Sequence, residues 1–288
     1  MNRRKFIRVT AKGVTATFLS TSLYSAVEAK CIETTRVSVT VPNLPPAFHN
    51  KTIAFLSDLH HSFVVPREYI EHAVSIANSL SPDIVVLGGD FVTVFGKKKW
   101  FDGREYIKPC CDMLSKLESK LGRFAVTGNH DTGVGLDSVK AGLTGAGIQI
   151  INNGGIWIEE KGQRIRICGV EDLRTGYPDP KLALADATDK DAVILVSHNP
   201  DVAEKKLVDN RVGLMLCGHT HGGQVVLPVV GAPFVHYCSE YGQKYRYGLV
   251  RGPKCQVYIT SGVGTLPPAF RLNCPPEVAL LTLKSPLA

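Results

Sequence analysis

None of the eight cysteines in this 288-residue chain stands in a C-x-x-C pair, which excludes a structural zinc ribbon and a thioredoxin-type redox site. A membrane-spanning helix needs about 20 consecutive apolar residues, and no such run exists. The stretch from Val14 to Val27 is 14 residues long and includes six Ser or Thr. Charge of one sign is also scarce. Residues 1–29 hold five basic side chains against Glu28, a net +4 of the chain's +7, which leaves +3 for the remainder. That near balance argues against a dedicated nucleic-acid binder, which carries a strong basic surplus or stripe. There is no linker, repeat or low-complexity break. The length of the chain, 44% hydrophobic, is enough for one large core. The economical division is an N-terminal segment over residues 1–29 and one domain over 30–288.

What the chain does have is five short polar patches: Asp58-Leu59-His60, Gly89-Asp90, Gly128-Asn129-His130-Asp131, Ser197-His198-Asn199 and Gly218-His219-Thr220-His221. Each follows an apolar, β-branched run: Ile53 to Leu56, Ile84 to Leu87, Phe124 to Val126, Val193 to Val196, and Leu214 to Leu216. Each therefore reads as a polar tip on the carboxyl end of a buried strand, the edge of an open α/β sheet at which ligands bind. Five such tips would bring together imidazole, carboxylate and amide donors, a mixture that suits Mn, Fe or Zn. The residues alone read as a two-metal hydrolase. Hairpin signals around Lys161-Gly162, and strand signals at Gln256 to Thr260 and Val278 to Leu283, suggest a second sheet packed on the first.

In this order the patches resemble the calcineurin-like metallophosphoesterase superfamily, whose signature D-x-H, G-D, G-N-H-[DE], a lone His and G-H-x-H runs unbroken from Asp58 to His221. Two further stretches resemble its exported bacterial phosphodiesterase branch with a twin-arginine leader. One is Gly218-His219-Thr220-His221-Gly222-Gly223-Gln224-Val225. The other is the tail Ser261-Gly262-Val263-Gly264, Pro267-Pro268, Arg271, Asn273 and Pro275-Pro276-Glu277. The resemblance implies an α/β fold, a four-layer α/β/β/α sandwich with two mixed β-sheets. It implies two divalent metal ions, Mn, Fe or Zn, one held by Asp58, His60, Asp90 and His221 and the other by Asp90, Asn129, His198 and His219. A bridging Asp90 would offset the repulsion between two dications that clamp a phosphoryl group. It also implies that His130 faces the substrate and protonates the leaving oxygen. Asp131 would orient the His130 ring or cap the turn.

Other residues carry less. His61 points away from the site on strict alternation, and His72 falls on an amphipathic helix with Tyr69, Ile70, Ala73, Val74, Ala77 and Leu80. Arg271 either reaches a phosphate or pins a loop. Cys168 and Cys217 read as buried thiols, and Cys238, Cys255 and Cys274 as the disulfide partners an exported protein would form. Lys97-Lys98-Lys99 and the apolar group Val92, Val94, Phe95, Trp100 and Phe101 could touch an anionic or lipid surface, or fold back and bury.

The N-terminus sets the expected compartment. Asn2-Arg3-Arg4-Lys5-Phe6-Ile7-Arg8 has a twin arginine, and Val27-Glu28-Ala29 offers a peptidase site after Ala29. The expected partners are the twin-arginine export machinery, a phosphate-ester substrate that is lipid-linked or cell-wall derived, and peripheral contact with the membrane. The expected location is the periplasm or the outer face of the cytoplasmic membrane, anchored if the leader stays, as a monomer. Two other functions compete. A UDP-2,3-diacylglucosamine-type pyrophosphatase of lipid A synthesis resembles the chain at Gly218 to Val225 but needs a cytoplasmic substrate. A metal-stabilised, non-catalytic envelope-binding protein has no physical reason to keep His130 beside seven intact ligand positions.

Overall fold

Each apolar run that precedes a polar patch forms a short strand in the structure, a computed structural model that describes residues 20–94, 103–206 and 208–286. Among the described residues twelve strands make two sheets. The first runs β1 (Glu33–Thr40), β12 (Glu277–Lys284), β2 (Thr52–Leu56), β3 (Ile84–Leu87), β4 (Arg123–Ala125) and β5 (Gln149–Ile150). The second runs β10 (Gly248–Arg251), β11 (Gln256–Ile259), β9 (Leu214–Cys217), β8 (Val193–Ser197), β7 (Gln163–Gly169) and β6 (Gly154–Glu160). Both are mixed: β12 is antiparallel to β2, and β6 and β10 are antiparallel edges on an otherwise parallel sheet.

Strand alternation assigns the layers. Ile53 and Phe55 of β2, Ile84 and Val86 of β3, and Phe124 of β4 pack between the sheets against Ile165, Ile167, Ile194, Val196, Leu214 and Leu216. Their neighbours Ala54, Leu56, Val85, Leu87 and Ala125 point the other way, into a core closed by helices α1 (Arg67–Ser79), α2 (Ile107–Leu114) and α3 (Asn129–Gly145). On the far side Val193, Leu195, Met215, Cys217, Val257 and Ile259 pack under the short helix α4 (Pro180–Leu184) and a 3-10 turn at Pro200–Glu204. Central strands buried on both faces are why these runs are apolar throughout. Helix α1 buries Ile70, Ala73, Val74 and Ala77, an i, i+3, i+4, i+7 stripe, and leaves His72 exposed.

The β6–β7 hairpin turns at Lys161 and Gly162, both with positive φ (51° and 72°), as a two-residue turn of the hairpin type requires. The C-terminal strands divide differently from expectation. β11 joins the second sheet, but β12 enters the first between β1 and β2. The Thr-rich strand β1 (Glu33–Thr40) carries little apolar signal because it is an edge with mainly one covered face. Of the group that could lie exposed or fold back, Val92 is buried in the core under α2 and Val94 packs against the same cluster, as the folded-back reading has it. Residues 95–102, with Lys97 to Phe101, and residues 1–19, with the twin arginine, lie outside the described residues. Among the described residues no helix is long and apolar enough to cross a membrane. All eight cysteines are unpaired: Cys255 is buried in the outer core, and the Cys274 thiol points at the carbonyls of His221 and Gly222.

Candidate metal centre

The five polar patches follow the carboxyl ends of β2, β3, β4, β8 and β9, and the two parallel arrays aim them at one another. Three groups of side chains bring potential ligand atoms within 4.8 Å of one another: Asp58, His60 and His221; Asp90, His198 and His219; and His60, Asp90 and His130. The Asp90 carboxylate is common ground, its Oδ2 lying 3.2 Å from His198 Nε2 and 3.7 Å from His60 Nε2. His60 Nε2 and His221 Nε2 approach to 3.0 Å, and His219 Nδ1 lies 3.2 Å from His198 Nε2.

The backbone reaches this arrangement at a cost. Asp58, His60, Asp90, His219 and His221 all have left-handed φ, between 50° and 70°. Side chains other than glycine pay on the order of 1 to 3 kcal/mol each for such backbone, which persists where the surroundings over-determine it. Here they do. Asp58 accepts the His219 N–H on both oxygens at 3.0 Å, and its own carbonyl accepts from Gly264 at 2.7 Å. Glycine supplies the clearance. A Cβ at Gly128 would fall 2.2 Å from Asp90 Oδ1, and one at Gly218 would fall 2.3 Å from Asp58 Oδ2.

The electrostatics suit a cation. Burial pushes His60, His219 and His221 well below the usual imidazole range, and neighbouring rings, with Arg271 near His221, add to the effect. These three are neutral, with lone pairs available. Burial raises Asp58 to about 6. Burial acts against the charged forms of Asp90 and His198 too, but their mutual attraction wins, holding Asp90 well below and His198 well above their ordinary ranges. Three buried polar atoms here have no hydrogen-bond partner: Asn129 Oδ1, His219 Nε2 and His221 Nδ1. Buried orphans of this kind need an explanation. Closely opposed imidazole nitrogens and a partnerless amide oxygen beside two carboxylates fit divalent cations, and the donor set is the mixed N/O type that Mn, Fe and Zn accept.

The remaining sequence candidates fall into place or move. His130 is half-buried, its ring edge-on to His60 with centroids 4.7 Å apart, and its backbone N–H donates to Asp90 Oδ1 at 2.8 Å. The Asp131 carboxylate is not on the His130 ring. It accepts backbone N–H groups from Asp90 (2.8 Å), Phe91 (2.8 Å) and Gly128 (2.9 Å), tying the β3 loop to the start of α3. Burial and the nearby Asp90 charge raise it to about 7. The His130 ring is held instead by the Val94 N–H, which donates to Nδ1 at 3.3 Å. His61 faces away, bonding through Nδ1 with the Val65 carbonyl. Arg271 is fully buried and donates to the carbonyls of Ser261, Gly262, Gly264 and Cys274 and to Thr265 Oγ1. With its guanidinium so used it pins a loop, and the phosphate-contact reading falls. Sequence reasoning missed two partners that fix ring orientation: Thr93 Oγ1, 2.9 Å from His60 Nδ1, and the Gly88 carbonyl, 2.8 Å from His198 Nδ1. Thr93 stands three residues after Asp90, a spacing without a recognisable motif, and a backbone carbonyl leaves no sequence trace.

A cluster of this composition, on loops at the facing edges of two stacked mixed sheets, defines a metal-dependent phosphoesterase. The sequence pattern of the calcineurin-like phosphoesterases matches residues 51–223, and the chain belongs to that family. It is similar to the phosphodiesterase YaeI of Escherichia coli K12, 36% identical over 234 residues that cover 80% of this chain and 81% of that one. It is also similar to the uncharacterised metallophosphoesterase YkuE of Bacillus subtilis 168, 31% identical over 260 residues, 90% of this chain and 87% of that one. Among solved structures the sulfate thiohydrolase SoxB of Thermus thermophilus shares the fold at a TM-score of 0.50 and 14% identity. That likeness covers 84% of this chain and 57% of the other. The chain is a metal-dependent phosphoric ester hydrolase.

Proposed function

We propose that this enzyme is a binuclear phosphodiesterase of the cell envelope. One ion would be held by Asp58, His60, Asp90 and His221, and the other by Asp90, Asn129, His198 and His219. The single observation that carries this reading is the place of Asp90: it groups with His198 and His219 on one side and with His60 on the other, and His60 in turn groups with Asp58 and His221. Two divalent ions held by these residues would supply charge to bind a phosphoryl group and lower the pKa of a bound water. The chain's own contributions are separable. Asp90 lowers the repulsion between cations, and the neutral amide of Asn129 binds without adding charge. His130 would be the donor to the leaving oxygen. With its Nδ1 accepting from Val94, the ring presents Nε2–H, whose proton would be shared with that oxygen as its charge develops.

The likeness to a relative named as a phosphodiesterase favours a diester over a monoester, and a lipid-linked or wall-derived ester is the substrate class that fits an envelope enzyme. Export by the twin-arginine route is supported by the Arg3-Arg4 leader, and that route would allow the metals to be loaded before crossing. The test is hydrolysis of bis(p-nitrophenyl) phosphate and of p-nitrophenyl phosphate by protein stripped with chelator and reloaded with Mn, Fe or Zn. Metal-restored turnover, faster on the diester, is the expected result. Faster turnover of the monoester would overturn the diesterase reading, and full activity with one ion bound per chain would overturn the binuclear one.

A further inference from the structure

Residues 20–28 form a helix whose end is built into the domain. Glu28 is buried, and its two carboxylate oxygens accept the backbone N–H groups of Asn273 at 3.0 Å and Cys274 at 2.5 Å. The residues around it are tied down as well. The Ser25 carbonyl accepts the Arg271 N–H at 3.1 Å, and the Ala29 carbonyl accepts the Tyr69 hydroxyl at 3.3 Å. Buried carboxylates are rare unless fully satisfied, so a specific pair of amides 245 residues downstream is a designed contact.

Those amides belong to the loop that backs the metal centre. Leu272 donates to the Gln224 carbonyl at 3.0 Å and accepts from the Val226 N–H at 2.8 Å, which pairs the loop with the backbone just after His221. Cys274 Sγ lies 3.3 Å from the His221 carbonyl and 3.4 Å from that of Gly222. Asn273 has left-handed backbone, φ 52°, and so depends on its neighbours to stay there. The path from Glu28 to His221 is therefore two contacts long, through Cys274.

We propose that Glu28 is a positioning residue for the metal loop, and that the segment holding Ser25, Glu28 and Ala29 remains in the working enzyme as a brace. Cleavage after Ala29 would remove the acceptor of the Asn273 and Cys274 N–H groups, the second of them buried. A route that exports folded proteins would also meet that bond already buried, with Glu28 and Ala29 both covered. The proposal rests on the metal-binding reading of His221, but its first test does not.

That first test is the intact mass of the full chain after expression and export in a bacterial host. The expected N-terminus lies before Ser25, and active enzyme beginning at Lys30 would overturn the brace. The second test is Mn titration of the chelator-stripped full-length protein and its Glu28→Ala and Glu28→Gln variants, with circular dichroism as the folding control. Glu28→Ala should bind one Mn at least about 10-fold more weakly, the scale seen when a residue supporting a ligand is lost. Glu28→Gln, which keeps one oxygen acceptor, should fall between that and wild type. Folded Glu28→Ala with wild-type affinity overturns the proposal, as does wild-type affinity in Glu28→Gln should the alanine variant not fold. A wild-type chain that binds no Mn would count against the metal centre, and the mass measurement would still decide whether the brace stays.

Discussion

The two halves of the donor cluster present the same kinds of atoms yet are held by different means. Asp90 and His198 are secured by the loops that follow β3 and β4, which also carry donors to the same cluster. The Gly88 carbonyl fixes the His198 ring, and Asp131 gathers the amides of Asp90, Phe91 and Gly128. Asp58, His60 and His221 are secured from far along the chain, by Gly264 on the Asp58 carbonyl and by Cys274 behind His221. One half is held by the loops that carry the donors themselves, and the other also leans on the C-terminal stretch around Gly264 and Cys274, which carries none. Equivalent chemistry at a site thus does not imply equivalent sensitivity to changes elsewhere in the protein.

The strongest way to break this comparison is to remove what the halves share. Asp90→Ala should lower kcat/KM by roughly 10³-fold or more, the scale of losing a principal electrostatic stabiliser. Metal analysis should show both ions weakened; loss of only one would mean that Asp90 serves one half. Next in size is His130→Ala. It should cost roughly 10²-fold in kcat with metal content unchanged, and loss of metal instead would make His130 a ligand of the His60 half. The pH dependence sharpens the contrast further. Asp58, raised to about 6 by burial, keeps its proton at pH 5, and His198 keeps one to higher pH. A cation must displace both, so Mn affinity should rise with pH and be steepest below about 6, by on the order of tenfold per unit for each proton displaced. Competition titrations from pH 5 to 8 would show it, and Asp58→Asn should flatten only the lower part. Smallest is Thr93→Val, which takes the hydroxyl from His60 Nδ1 and should weaken one ion by roughly 10-fold. Equal weakening of both would show that the halves are not separately supported.

The donors were legible in the sequence and their supports were not. Donors lie in short motifs behind apolar strands because a strand end places a few consecutive residues at the site. The order of the strands in a sheet is not so encoded, and the run Val278 to Leu283 gave no sign that it belongs between β1 and β2. Asp131 shows how one pattern serves two purposes. An Asp following His130 fits either a ring partner or a backbone cap, and only the fold decides that its oxygens meet amides. Glu28 was hidden more deeply, since it falls in a segment with the composition of a leader and meets partners at the opposite end of the chain. Arg271 stood out among prolines, but whether its guanidinium faced ligand or carbonyls was a matter of packing.

The position of β12 governs when this enzyme can exist. The strand that leads to Asp58 and His60 pairs on one side with β3 and on the other with residues 279–282. During synthesis the sheet therefore stays open along β2 until residues 279–282 have left the ribosome, and contacts that distant in sequence form slowly. Donors from β3, β4, β8 and β9 are made long before the loop after β2 can settle. A cation would therefore find the full donor set only after residues 279–282 have paired with β2.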